Sequence, residues 1–158
     1  MADDMYTDLK KRCGAIQTTA ISGSTSLPYF MTHGATFPYW TNRLGPANTD
    51  WDSDQMQTET RTILMRLVIG HITQNYDGQT EDLLGDYIDA VYDAFADIDA
   101  MRLIDGTTFT TEPLYLHPLG VEIESDTGLD MFPAPWANYY EVGVEFTLIV
   151  NIYRTVDD

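Results

Sequence analysis

The run Asp50-Trp51-Asp52-Ser53-Asp54 sets three carboxylates at alternate positions, as the opening of a calcium loop does. Such a loop needs glycine at its sixth position, for a sharp turn, and a bidentate glutamate at its twelfth. Gln55 and Arg61 stand there instead. The cluster therefore reads as a solvated acidic turn. His33, His71 and His117 show no pairing at metal-ligand spacing, so a zinc site would need ligands converging from separate elements. Cys13 follows Lys11 and Arg12, and cations of that kind lower a thiol pKa. Its place on the apolar side of a helical stretch instead favours a small buried hydrophobe. A single cysteine also excludes an internal disulfide framework and a cysteine-rich zinc centre. No nucleophile elbow, glycine-rich phosphate loop or His-Glu-x-x-His helix occurs. Carboxylates can pair for acid–base catalysis, but Asp82, Asp86, Asp89, Asp93 and Asp97 repeat as one wet helix face does. These readings point away from an enzyme and imply no metal and no cofactor. They favour binding or structural work.

The elements that would carry such work follow from hydrophobic periodicity. Met5, Leu9, Arg12/Cys13 and Ile16 share one side of a helix over residues 3–17. Its acids come early and its lysines later, as the helix dipole prefers. Residues 18–28 are small and polar and read as a connection. Residues 29–57 mix aromatics with turn residues. Short strands fit about 27–32 and 37–44, and the stretch after Gly45 reads as a projecting loop or hairpin arm. Residues 58–74 form a strand with apolar residues on both faces apart from Arg66, the pattern of a central strand covered on both sides.

After the turn Asn75-Tyr76-Asp77-Gly78, Thr80 is placed to cap a helix over about 80–101. Its apolar stripe is Leu84, Ile88, Val91, Phe95 and Ile98. A strand over 115–124, a loop over 125–138 and a last strand complete the chain. In that last strand Val142, Val144, Phe146, Leu148, Val150 and Ile152 all point one way. The expected fold is a single α+β domain over 1–158. It has two layers, with a mixed or antiparallel sheet packed by the amphipathic helix at 80–101, an N-terminal helix and a long arm.

Charge narrows the partners. The 158 residues carry 25 acids and 8 Lys and Arg, a net charge of −17. Such a surface repels nucleic-acid phosphate and anionic lipid alike. No apolar run approaches the ~20 residues that span a bilayer. The N-terminal MADDMYTDLKKRC has no apolar core of a secretory signal, so a cytoplasmic site of synthesis is expected. Tyr and Trp are favoured at interfaces. The arm over 38–57, with Tyr39, Trp40 and Trp51, is therefore a candidate contact with another subunit, although aromatics there can equally cover the sheet. Arg43, Arg61, Arg66, Arg102 and Arg154 are the candidate cations that would meet acids across a subunit seam.

Two segments carry a family resemblance. The run TRTILMRLVIGHITQNYDGQTEDLLGDYIDAVYDAFADIDAMRLID and the ending YYEVGVEFTLIVNIYRT resemble the middle and last strand of long-tailed phage tail terminator proteins. The likeness covers residues 58–104 and 139–155, and 3–17 loosely. It lies in the pattern of elements and is shared with related neck and tail-completion proteins; residues 18–57 do not take part. The resemblance implies a homo-oligomeric ring, usually of six copies, at the head-proximal end of the tail tube. The ring stops tube polymerisation, touches the tube protein and a neck or connector protein, and lets DNA pass without specific binding or any membrane contact. It implies a virion location and no catalytic residues. Six copies would carry roughly −100 charges, which repel the sliding phosphate backbone. A neck or minor tail subunit is the nearest alternative. A small cytoplasmic enzyme or ligand-binding domain, with a cleft of carboxylates and Tyr, is the alternative from another class.

Overall fold

The computed structural model describes residues 5–27, 37–51, 56–72, 78–96, 116–133 and 140–155. Its elements are α1 (Met5–Ala20), β1 (Thr25–Leu27), β2 (Tyr39–Trp51), β3 (Met56–Ile72), α2 (Gly78–Phe95), β4 (Leu116–Asp126), β5 (Asp130–Pro133) and β6 (Tyr140–Thr155). The strict alternation of the last segment produces the strand it predicts. Val144, Phe146, Leu148 and Val150 are fully buried, with Val142 and Ile152 nearly so. Each such side chain contributes about 1.5–3 kcal/mol relative to exposure. A one-residue slip would expose all of them and bury Glu145, so the register is fixed.

The six strands form one mixed sheet in the order β1-β2-β3-β6-β4, and the chain is an α+β protein with helices packed on a sheet. Among the described strands only the β1–β2 pair is parallel. β3 and β6 pair antiparallel from Met56↔Thr155 to Ile72↔Tyr140. β4 pairs with β6 from Leu116↔Arg154 to Asp126↔Phe146, and β5 continues along the same edge from Asp130↔Gly143 to Pro133↔Tyr140. β4 and β5 are therefore one edge ribbon with a kink at Thr127–Leu129. Gly128 takes the kink with φ +65°, and its N–H donates to Asp126 Oδ1 at 2.7 Å. The sequence reads this stretch as loop because Asp126-Thr127-Gly128 is turn chemistry. The strand beyond it is only four residues long.

Both helices lie on one face of the sheet. Leu9, Cys13 and Ile16 of α1 and Leu84, Val91 and Phe95 of α2 form one core with Trp40, Ile63, Met65, Leu67 and Val144, Phe146, Leu148, Val150 and Ile152 of β6. α1 runs on to Ala20, past the expected end at 17. Thr18 and Thr19 do not break it, because their hydroxyls donate to the carbonyls of Gly14 and Ala15. α2 begins at Gly78 and closes at Phe95, short of the expected 101; residues 97–101 lie outside the described ones.

β3 is central in the ladder, as its two apolar faces predict. Among the described residues the helices lie on one of its faces. On the other face Val68 is buried, and Leu64 and Arg66 are half-buried. Of the two readings for the stretch after Gly45, a projecting loop or a hairpin arm, the structure gives the hairpin arm. β2 bulges between Leu44 and Ala47, where Gly45-Pro46 sits, and then pairs with β3 out to Trp51↔Gln57. The arm is a strand of the sheet up to that point, and residues 52–55 lie outside the described ones.

The β3–β6 ladder carries an irregularity of its own between Val68 and Gly70. There the backbone of Leu67 and Val68 lies against Gly143, where a Cβ would strike the Leu67 carbonyl. Gly143→Ala must push two central strands apart. We expect it to destabilise the fold by about 2 kcal/mol or more, read as a lower urea midpoint.

Candidate interaction surface

Three polar clusters pin the layers together. At the lower end, on the helix face, Glu59 is 2% exposed. It accepts Tyr6 Oη–H at 3.0 Å and Arg61 Nε–H at 3.0 Å. Arg61 lies 4.9 Å over the Tyr6 ring and donates to the Gly45 carbonyl at 3.1 Å, filling the bulge in β2. Burial pulls its pKa down, but the hydrogen bond and charge of Glu59, with Tyr6, hold it above its ordinary value. Higher up, Gln17 and Asn42 form a buried amide pair. Gln17 Nε2 donates to Asn42 Oδ1 at 2.6 Å. Asn42 Nδ2 donates to Ser26 Oγ at 3.0 Å, and Ser26 donates to Gln17 Oε1 at 2.8 Å. This loop of bonds joins α1, β1 and β2 and satisfies amides that would otherwise be costly to bury. On the opposite face Tyr39 donates to Glu141. Beside them Arg66 pairs with Glu145 at 3.1 Å and lies 4.0 Å over the Phe132 ring.

These clusters decide the fate of the candidate residues. Tyr39 and Trp40 are 1% and 0% exposed, so neither reaches a partner. They alternate on β2. Trp40 enters the main core beside Phe146 at 5.9 Å, and Tyr39 is covered by Phe37 on the other face. Arg61 and Arg66 are occupied within the chain by Glu59 and Glu145. Arg43 and Trp51 remain on the surface, Trp51 at 61% exposure. Arg154 sits on β6 opposite Gln57 and Leu116, and Arg102 lies outside the described residues. Among the described residues, Trp51 at the arm end and Arg43 on β2 are the candidates that lie on the surface. Exposed Met131 and Tyr140 form a second apolar spot. They are diagonal neighbours on β5 and β6 at the far end of the ladder.

The candidates for chemistry do not converge. His71 and His117 stand at opposite ends of the sheet, opposite Glu141 and Tyr153, and His33 lies outside the described residues. Asp50 is a strand residue paired with Thr58. Asp82, Asp86, Asp89 and Asp93 are exposed along α2, as their spacing predicts. Among the described residues no group of three or more His, Cys, Asp or Glu could hold a metal ion. A cleft of about 490 Å³ opens between the end of α2 and β4, with Tyr92, Phe95, Val121, Glu122, Ile123 and Asn151 in its wall. Glu122 is its one carboxylate among these, with no imidazole or thiol beside it. No helix is long and apolar enough to cross a membrane among the described residues.

Sequence reasoning missed the clusters that hold the arm in place. The signal was there in part: Glu59 and Arg61 share the parity of Ile63, Met65 and Leu67, which puts polar groups on the buried face. What they bond to came from α1 and could not be read. No protein-family model matches the chain, and no curated protein matches it.

Two acids among the described residues weaken the fold in alkali. Burial pushes the Cys13 thiol from 9.0 up to about 12. Burial, then the hydrogen bond to Asp126, pushes the Tyr92 phenol from 10.0 up to about 12. In both cases the unfolded chain loses its proton first. Their contribution is whole below about pH 9 and is lost as pH rises to about 12. Urea midpoints measured across that window should fall, and Cys13→Ala and Tyr92→Phe should each flatten the slope.

Proposed function

We propose that this chain is a structural virion subunit of the tail terminator kind. Copies form a ring on the head-proximal end of a phage tail tube, end its polymerisation and join it to the neck. The observation that carries the reading is a sheet with a long arm whose helices, among the described residues, lie on one face. Helices cover one face of β2-β3-β6-β4, while the β2–β3 end carries an exposed Trp51 away from the core. A domain of this build offers a face and an anchor to other proteins and holds its own core without them. The element order supports the reading too: α1, central β3, α2 and a long final β6 run in the order of the resemblance. A ring subunit at a neighbouring station of the neck would share these features.

The full chain examined by native mass spectrometry and negative-stain electron microscopy should give closed rings. A phage lacking the chain should make tails of uncontrolled length. Tails of normal length that fail to attach to heads would place it in the neck instead. A monomer with a small-molecule turnover that vanishes on replacing Glu122 would overturn the structural reading in favour of an enzyme. Trp51→Ala should leave the urea midpoint within about 0.5 kcal/mol of the parent. It should weaken ring or tube-end association by tenfold or more, as the loss of a central interface tryptophan does.

A further inference from the structure

The described helices pack on the face of the sheet that Ile63, Met65 and Leu67 share. The middle of the other face has a chemistry of its own. Residues paired across a ladder share a face, so Thr60↔Asn151, Thr62↔Ile149 and Leu64↔Thr147 lie together on it. All six are half-buried. Charged residues make up 21% of the chain, yet none of these six is charged. The rows extend without charge to Asn48 on β2 and to Gly120 and Ser125 on β4. Elsewhere the surface is acidic. Asp82, Asp86, Asp89 and Asp93 stand out along α2, and Glu122, Glu124 and Asp130 along the β4–β5 ribbon.

We propose that two copies of this chain pair sheet on sheet through this uncharged face, about a two-fold axis. Threonine and asparagine both donate and accept hydrogen bonds, and Leu64 and Ile149 supply apolar surface, so the face is complementary to itself. A site for a basic partner would carry acids, and the chain holds its acids everywhere but here. Two chains of net charge −17 repel each other, and this is where they can touch without setting carboxylate against carboxylate. Sheets pack in this way at about 10 Å, with their side chains interleaved. From Thr58 to Arg66 the four strands present roughly 400 Å² in plan. A stable interface buries about 800 Å² per partner, so the pair is weak and forms at high concentration. The pairing goes beyond the ring reading and uses a different surface. Trp51 pairs with Gln57, whose alternation with Glu59 puts both on the helix side.

The test is sedimentation velocity of the full chain over a range of concentration and salt. Self-association should rise with concentration and also with salt, because salt screens the repulsion between the two acidic bodies. Thr62→Glu sets a charge in the middle of the face and should weaken association tenfold or more while keeping the parent's circular dichroism. Trp51→Ala should leave association unchanged. A short bismaleimide should join Thr62→Cys to a second copy and leave Thr19→Cys, exposed on α1, as single chains. Cys13 is 0% exposed and stays out of that reaction. Association that falls as salt rises would mean a contact made of ion pairs and would overturn the proposal. So would a Thr62→Glu variant that associates as the parent does, cross-linking as efficient from Thr19→Cys as from Thr62→Cys, or a parent that is monomeric at every concentration and salt.

Discussion

The antiparallel pairing of β3 with β6 is the constraint on which the rest of the molecule hangs. Each strand is too long to be stabilised by its own turn, and each alternates so that one face is apolar over its middle. Pairing them lays Ile63, Met65 and Leu67 beside Leu148, Phe146 and Val144 as one continuous buried surface. β2 can then add to the outer edge of β3, and β4 with β5 to the outer edge of β6. α1 and α2 find a single apolar floor to cover. At Gly143 the two long strands leave no room for a side chain, and the bulge at Val68–Gly70 fits there only because that position lacks a Cβ.

Burial on one side of this floor leaves polar groups to be settled at its ends, and the chain settles them in pairs. Glu59 with Tyr6 and Arg61 ties the start of α1 to the arm. Gln17 with Asn42 and Ser26 ties the end of α1 to β1 and β2. Removing one member of such a set leaves the others buried without their bonds, which costs more than the bond itself is worth. These sets therefore specify one arrangement of helix on sheet, a task that the apolar contacts alone perform less sharply.

Much of this architecture is legible in the amino-acid sequence, and the limits of that legibility are physical. β6, β3 and α2 were readable because each keeps a single period over many residues. Cys13 was readable as core because it shares a helical stripe with Leu9 and Ile16. The alternation of Tyr39 and Trp40 was visible as well, yet it says only that they face opposite ways. That both faces are covered there depends on Phe37, Phe146 and Glu141, which arrive from distant parts of the chain. Arg61 and Arg66 looked like cations seeking an acid in another subunit, and each found one along its own sheet. β5 was missed because a kink of turn residues hides a short continuation of the edge. Tyr39, Trp40 and Trp51 were read together as one arm, and only the structure separates the exposed Trp51 from the two buried aromatics.

The broken outline of the β4–β5 ribbon has a consequence for how the chain behaves when crowded. A smooth outer strand on so long a sheet would be a template on which further chains could lay down strand after strand, as amyloid fibrils do. Two bulges, a left-handed glycine and a row of carboxylates deny it that straightness. The molecule can thus be packed at high local concentration and still keep its sheet finite.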